Sequence, residues 1–140
     1  MRALVCSALS DDLSGVGIEH VPIPEPGPGE VRIRIRATSL NFPDILLCQG
    51  KYQLKLEPPF TPGMDIAGEI DAVGEGVESF RVGEAVVGGM RFGGFAEFAI
   101  VSAEGRKKKP SHLSFAEAAA YQVAYLTAYV ALVRRANLRA

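Results

Sequence analysis

The sequence predicts a mainly β fold with some α: a partly open β-barrel carrying one short helix, with a long helix at its C-terminal end. Three observations predict it. Fifteen glycines and nine prolines in 140 residues cut the first two thirds into short segments, the punctuation of strands and turns. Apolar and polar residues alternate with period 2, most clearly in Glu30-Val-Arg-Ile-Arg-Ile-Arg-Ala37. From Ala116 to Val133 the chain turns alanine-rich and loses both Gly and Pro, which predicts one long helix.

The elements follow in order. Met1-Arg-Ala-Leu-Val-Cys6 has too short an apolar run for a secretory segment. Pro22, Pro24, Pro26 and Pro28 make an extended connector. In the strand 30–37, Val31, Ile33, Ile35 and Ala37 face inward, while Arg32, Arg34 and Arg36 make a solvated face. Asn41-Phe-Pro-Asp44 starts the short helix: Asn41 caps it, Pro43 suits its first position, and Asp44 is favoured at its positive end. Further strands are expected over 65–73, 84–87 and 94–101, with the turn Gly74-Glu-Gly76 after the first. Glycine-rich corners let such short strands bend and partly close a sheet. Arg106-Lys-Lys-Lys109 reads as a solvated loop. Ser114-Phe-Ala-Glu117 is a capping box that opens the long helix. On that helix Tyr121, Tyr125 and Tyr129 fall on one stripe, which predicts a surface for a second copy, so a homodimer is expected. Residues 1–115 form one domain, and 116–140 a helix leading out of it.

Bulk properties narrow the function. A composition 48% hydrophobic and 22% charged fits one globular domain with a real core. A net charge of −1 gathers neither nucleic acid nor an anionic membrane. No apolar run approaches the roughly 18 residues of a membrane helix, so the cytoplasm is the expected compartment. Cys6 and Cys48 form no CxxC pair and read as buried reduced thiols. His20 and His112 read as surface or loop residues.

For Asn41 and Asp44 two readings stand at this level, helix caps or site residues. The order of segments adds to this. Asn41-x-x-Asp44, Gly50-Lys-Tyr52, Pro62-Gly63-x-Asp65-x-Ala-Gly68, Val73-Gly-x-Gly-Val77, Phe80-x-x-Gly83, Gly93-Gly-Phe-Ala-Glu-Phe98, Leu113 to Ala120 and Leu126-Thr-Ala-Tyr129 follow one another along nearly the whole chain. The ordered set resembles the zinc-free quinone oxidoreductases of the medium-chain dehydrogenase/reductase superfamily, in particular their N-terminal GroES-like domain. The resemblance implies hydride transfer from NADPH to a small-molecule quinone or α,β-unsaturated carbonyl. It implies catalytic roles for Asn41, Tyr52 and Asp44, with Asp44 orienting the others. Asn41 and Thr127 would lie by the cofactor, and Tyr52 and Phe60 by the substrate. Zinc relatives of the superfamily carry Cys at the place of Asn41 and His-Glu at Met64-Asp65. An amide and a thioether are poor zinc ligands, so no zinc is expected.

A dinucleotide fold needs a glycine fingerprint between a strand and a helix. Gly74-Glu-Gly76-Val-Glu-Ser79 lacks the third glycine, and Gly93-Gly94 precedes a strand. The Rossmann domain is therefore absent from these 140 residues. The chain is expected to be the substrate-side half of a two-domain enzyme, inactive alone. Two alternatives stay open: an enoyl-thioester reductase of the same superfamily, and a free-standing, non-catalytic GroES-like binding module.

Overall fold

The computed structural model describes residues 1–139. Strands β1 (Arg2–Cys6) and β2 (Val16–His20) pair as an antiparallel ribbon. The main sheet contains β3 (Glu30–Ser39), β4 (Asp65–Val73), β5 (Ala85–Gly89), β6 (Phe98–Ser102) and β7 (Lys107–Lys108). Its order is β6-β3-β4-β5-β7 and every pairing is antiparallel. The edge strands β6 and β7 do not meet, so the barrel stays open, as the sequence predicts. Helix α1 (Phe42–Cys48) follows β3; helix α2 (Phe115–Tyr129) follows β7 and runs on as a π-helical stretch over Val130–Arg135.

Alternation in β3 places Val31 and Ile33 in the main core with Ile66, Ile70, Phe80, Val86 and Val101. A second cluster, Cys6, Leu47, Cys48 and Phe60, fixes α1 against β1. Both cysteines are free and buried, and burial, with Cys6 alongside, pushes the Cys48 thiol up to about 11. A third cluster consists of small residues. Ala67, Ala118 and Ala119 are almost fully buried, which lets the start of α2 approach β4 closely. The capping box forms as expected: the Ser114 hydroxyl accepts from the Glu117 backbone at 3.2 Å, and the Ser114 backbone donates to the Glu117 carboxylate at 2.8 Å. Tyr121, Tyr125 and Tyr129 are exposed, the first two with rings stacked 5.7 Å apart.

Several local expectations need correction. The strands β1 and β2 carry no alternation long enough to read. Lys107 and Lys108 are not loop: they pair with Val87 and Val86, although their side chains stay in water. The fourth strand begins at Phe98 rather than Gly94, because Gly94 and Phe95 are tied by backbone bonds to Gly63 and Pro62. Pro43 occupies the second helical position, after Phe42. The arginine face is also less solvated than alternation implies. A bulge between Arg32 and Ile33 leaves Asp71 without a register partner on β3. Its carboxylate takes Arg34 at 2.9 Å and Arg32 at 2.7 Å, and these bonds hold it below its ordinary value. The Arg32 side chain, 15% exposed, also lies over the Phe98 ring.

Candidate functional site

The site grows from the register of β3 on β4, which sets Ser39 opposite Asp65 at the mouth of the sheet. Ser39 is the last residue of β3, and two residues later Asn41 takes the N-cap position of α1, its side chain turned to Ser39 and Asp65 instead of the helix, so one chain reversal gathers both near Asp65. Asp65 is 1% exposed. Its Oδ2 accepts from the Ser39 hydroxyl at 2.8 Å, the Asn41 amide at 3.1 Å and the Val123 backbone N–H at 3.3 Å. Its Oδ1 has no partner among the described residues. Satisfying all of a buried carboxylate's lone pairs is the rule, so this orphaned oxygen marks a special place. The close seat of α2 on Ala67 is what brings the Val123 N–H within reach.

Asp44 is equally buried and does a different task. One carboxylate oxygen accepts from the Asn41 backbone at 2.8 Å, closing the N-terminus of α1; the other accepts from the Gly63 backbone at 3.1 Å. Asp44 thus locks the helix start to the Pro62-Gly63-Met64 turn. Burial pushes the Asp44 carboxyl above its ordinary value, the two backbone donors oppose that, and the charge of Asp65 adds to it. A raised native value means that the folded state holds its proton at a pH where the unfolded chain has lost it. Relative to Asp44→Asn, the wild type is therefore expected to lose stability as pH rises from the ordinary carboxylate value through the raised one, and to level off above it. Urea unfolding of both proteins between pH 4 and 7 checks the sign. A gap that widened with pH in favour of the wild type would overturn it.

Two grooves flank this cluster. The first, of about 620 Å³, runs between the sheet mouth and α2 and is lined by Asp65, Arg106, Gln122, Val123 and Thr127 among others. The Arg106 guanidinium is half-buried, donates to the Gly89 carbonyl at 2.6 Å, and leaves its Nε without a partner. Burial pulls it below its ordinary value. The second groove, of about 660 Å³, is lined by Tyr52, Lys55, Met64, Met90 and Arg91 among others. Met64, Met90 and Arg91 line both grooves, so the two adjoin along that wall.

The residues singled out in the sequence therefore divide. Asn41 and Asp44 sit together at the N-terminus of α1, and Asn41 reaches the first groove only through Asp65. Thr127 is exposed on the first groove, and Tyr52 lines the second. Phe60 packs in the second core cluster, bonded through its backbone to Cys6, and lines neither groove. The sequence reading gave Ser39 no individual role, placed Arg106 in a solvated loop, and took Asp65 only as a place where zinc relatives carry a ligand. A buried Asp is uncommon, but a strand pattern does not reveal which Asp is buried.

The alcohol dehydrogenase GroES-like domain family matches residues 27–111. Quinone oxidoreductase-like protein 2 of Bos taurus is 39% identical over 135 residues, covering 96% of this chain and 38% of the relative. Among solved structures, the human synaptic vesicle membrane protein VAT-1 homolog-like protein superposes with a TM-score of 0.91 at 34% identity, covering 99% of this chain and 45% of that one. The quinone oxidoreductase of Thermus thermophilus, also solved in complex with NADPH, superposes with a TM-score of 0.83 at 35% identity, over 99% of this chain and 42% of that one. The chain spans between 21% and 39% of the length of such curated relatives.

Proposed function

This chain belongs to the alcohol dehydrogenase GroES-like domain family, within an oxidoreductase superfamily, and from that premise we propose that it forms the substrate side of an NADPH-dependent reductase of quinones or α,β-unsaturated carbonyls. One observation carries the reading. Two adjoining grooves share the Met64 and Met90 wall, one bearing polar groups without partners and the other a phenol. That is the arrangement needed to hold a hydride donor beside an acceptor.

The residues present fit one end of a dinucleotide. A carboxamide both donates and accepts, and the first groove offers the Thr127 hydroxyl and Gln122, with the unpaired Asp65 Oδ1 and Arg106 Nε buried beneath its lining. No glycine loop for a pyrophosphate occurs in the sequence, so that contact falls to other parts of the complete protein. When bound, the nicotinamide supplies a hydride. Charge then gathers on the acceptor's oxygen, and a nearby donor lowers the barrier. Tyr52 is the donor we assign to that oxygen. Asn41 has its amide hydrogens directed at Ser39 and Asp65, so we assign it the positioning of Asp65.

Zinc independence is part of the proposal. Asp65 Oδ2 already accepts three hydrogen bonds, and the neighbouring Asn41 and Met64 offer an amide and a thioether where zinc sites use thiolate and imidazole.

In the complete protein, Tyr52→Phe is expected to lower kcat with a quinone by about tenfold, because water in an open groove replaces part of the hydroxyl's effect. Asn41→Ala is expected to act similarly. Steady-state rates with NADPH check both, and full turnover in both variants would overturn the assignments. Comparing a quinone with an enoyl thioester identifies the acceptor, and turnover of neither would end the reading.

A further inference from the structure

The charge lining the second groove is one-sided. Lys55 and Arg91 are both exposed, and no carboxylate lines the groove with them. Arg2, Arg32, Arg34, Arg36, Lys51 and Lys108 each have a carboxylate within 4.0 Å, whereas Arg81, Arg106, Lys107 and Lys109 have none among the described residues. Lys55 and Arg91 also have none there, and differ from these in lining the second groove together. The Lys55 ammonium makes one bond, to the Gly50 carbonyl at 2.6 Å, which leaves two hydrogens free and its charge uncompensated. The chain as a whole carries −1, so this local excess is not a by-product of a basic protein. A concave site lined by one sign of charge concentrates ligands of the other sign. Met64 and Met90 supply an apolar, adaptable wall beside the two cations, at the edge shared with the first groove, which Arg91 also lines.

We propose that this groove selects acceptors that carry an anionic substituent, held by Lys55 and Arg91, with their flat apolar body against Met64 and Met90. The inference rests on the reading of the groove as the acceptor site, and names the class of acceptor it prefers. Arg91 and Lys55 both supply charged N–H donors to an oxyanion, so the charge they share, more than the shape of either head group, sets the preference.

The test uses the full-length protein and two probes, naphthoquinone and naphthoquinone sulfonate. The ratio of kcat/KM for the sulfonate to that for the neutral quinone is expected to fall about tenfold in Lys55→Gln/Arg91→Gln, the scale of two solvent-screened charges. The change is expected in KM, and Arg91→Lys alone should keep most of the preference. Added salt should shrink the wild-type ratio and leave that of the double variant flat. An unchanged ratio in the double variant overturns the proposal, and so does a ratio that salt does not move. Quenching of tyrosine fluorescence by naphthoquinone sulfonate gives a second readout that needs no turnover. If neither quinone is reduced, the acceptor class of the preceding section fails. Charge-dependent quenching lost in the double variant would still support the anion seat, and identical quenching in both proteins would overturn it.

Discussion

Asp65→Ala is expected to destabilise the protein by about 3 to 5 kcal/mol, the scale of breaking a buried charged hydrogen-bond hub. Asp65 Oδ2 is the acceptor common to the Ser39 hydroxyl, the Asn41 amide and the Val123 N–H. Removing it takes the charged acceptor from all three donors, and although the Asn41 amide keeps the Ser39 hydroxyl at 3.1 Å, desolvation costs about 1 to 3 kcal/mol for each group left unsatisfied. Asp65→Asn separates hub from charge. It keeps one oxygen for those donors and removes a buried charge, so its expected cost is about 1 kcal/mol. It also puts an N–H₂ where Oδ1 now lies, beneath the floor of the first groove. If the first groove is the cofactor side, as proposed, the Asn variant should fold and bind NADPH more weakly in the complete protein. Urea denaturation and NADPH fluorescence titration read the two effects independently. An Ala variant as stable as wild type would remove the hub from the account of the fold. An Asn variant with unaltered NADPH affinity would remove Oδ1 from the cofactor side.

How far this was legible from residues alone depends on whether the signal is local. The Ser114 capping box needs only Ser and Glu three apart, and it forms as read. Inward Val31 and Ile33 follow from period 2, and both are essentially buried. Membership of the family, and the open arrangement of strands, were equally readable, because an ordered series of short motifs spans nearly the whole chain. Non-local pairings were not. Asp65 and Ser39 are 26 residues apart and become neighbours only through the β3–β4 register. Val123 lies 58 residues from Asp65 and arrives through packing on alanines that carry no distinctive pattern. The basic run 106–109 reads as solvated by charge, yet Arg106 turns inward to the Gly89 carbonyl because β7 pairs with β5 beside it. A bulge likewise converts Arg32 from a solvated residue into a partner of Asp71. Charge alone does not report which side chain a neighbouring strand will cover.

Gly63→Ala is expected to be severely damaging although it leaves every side chain of the site in place, at about 3 kcal/mol or more. Two effects combine. Gly63 has φ of +106°, a conformation that L-residues rarely adopt, and strain of that kind costs on the order of 1 to 3 kcal/mol. A Cβ there would also lie 2.5 Å from the Phe95 nitrogen and 2.8 Å from the Gly94 carbonyl carbon, backbone atoms that cannot rotate away. Yielding would break the bonds from Gly94 N–H to the Gly63 carbonyl and from Phe95 N–H to the Pro62 carbonyl. It would also displace the Gly63 N–H from Asp44, leaving that buried carboxylate with one donor. Gly76 isolates the conformational part, since it has φ of +78° and nothing within 4 Å of its Cβ position. Gly76→Ala should cost about 1 kcal/mol and leave activity of the complete protein intact. Thermal unfolding of the two variants side by side gives the difference, expected as a drop in Tm for Gly63→Ala several times that for Gly76→Ala. Equal drops would mean that the turn relaxes freely around the added methyl. The Asp44–Gly63 bond would then not be what holds α1 and the Met64 wall in register, and the two grooves would owe their shared edge to some other contact.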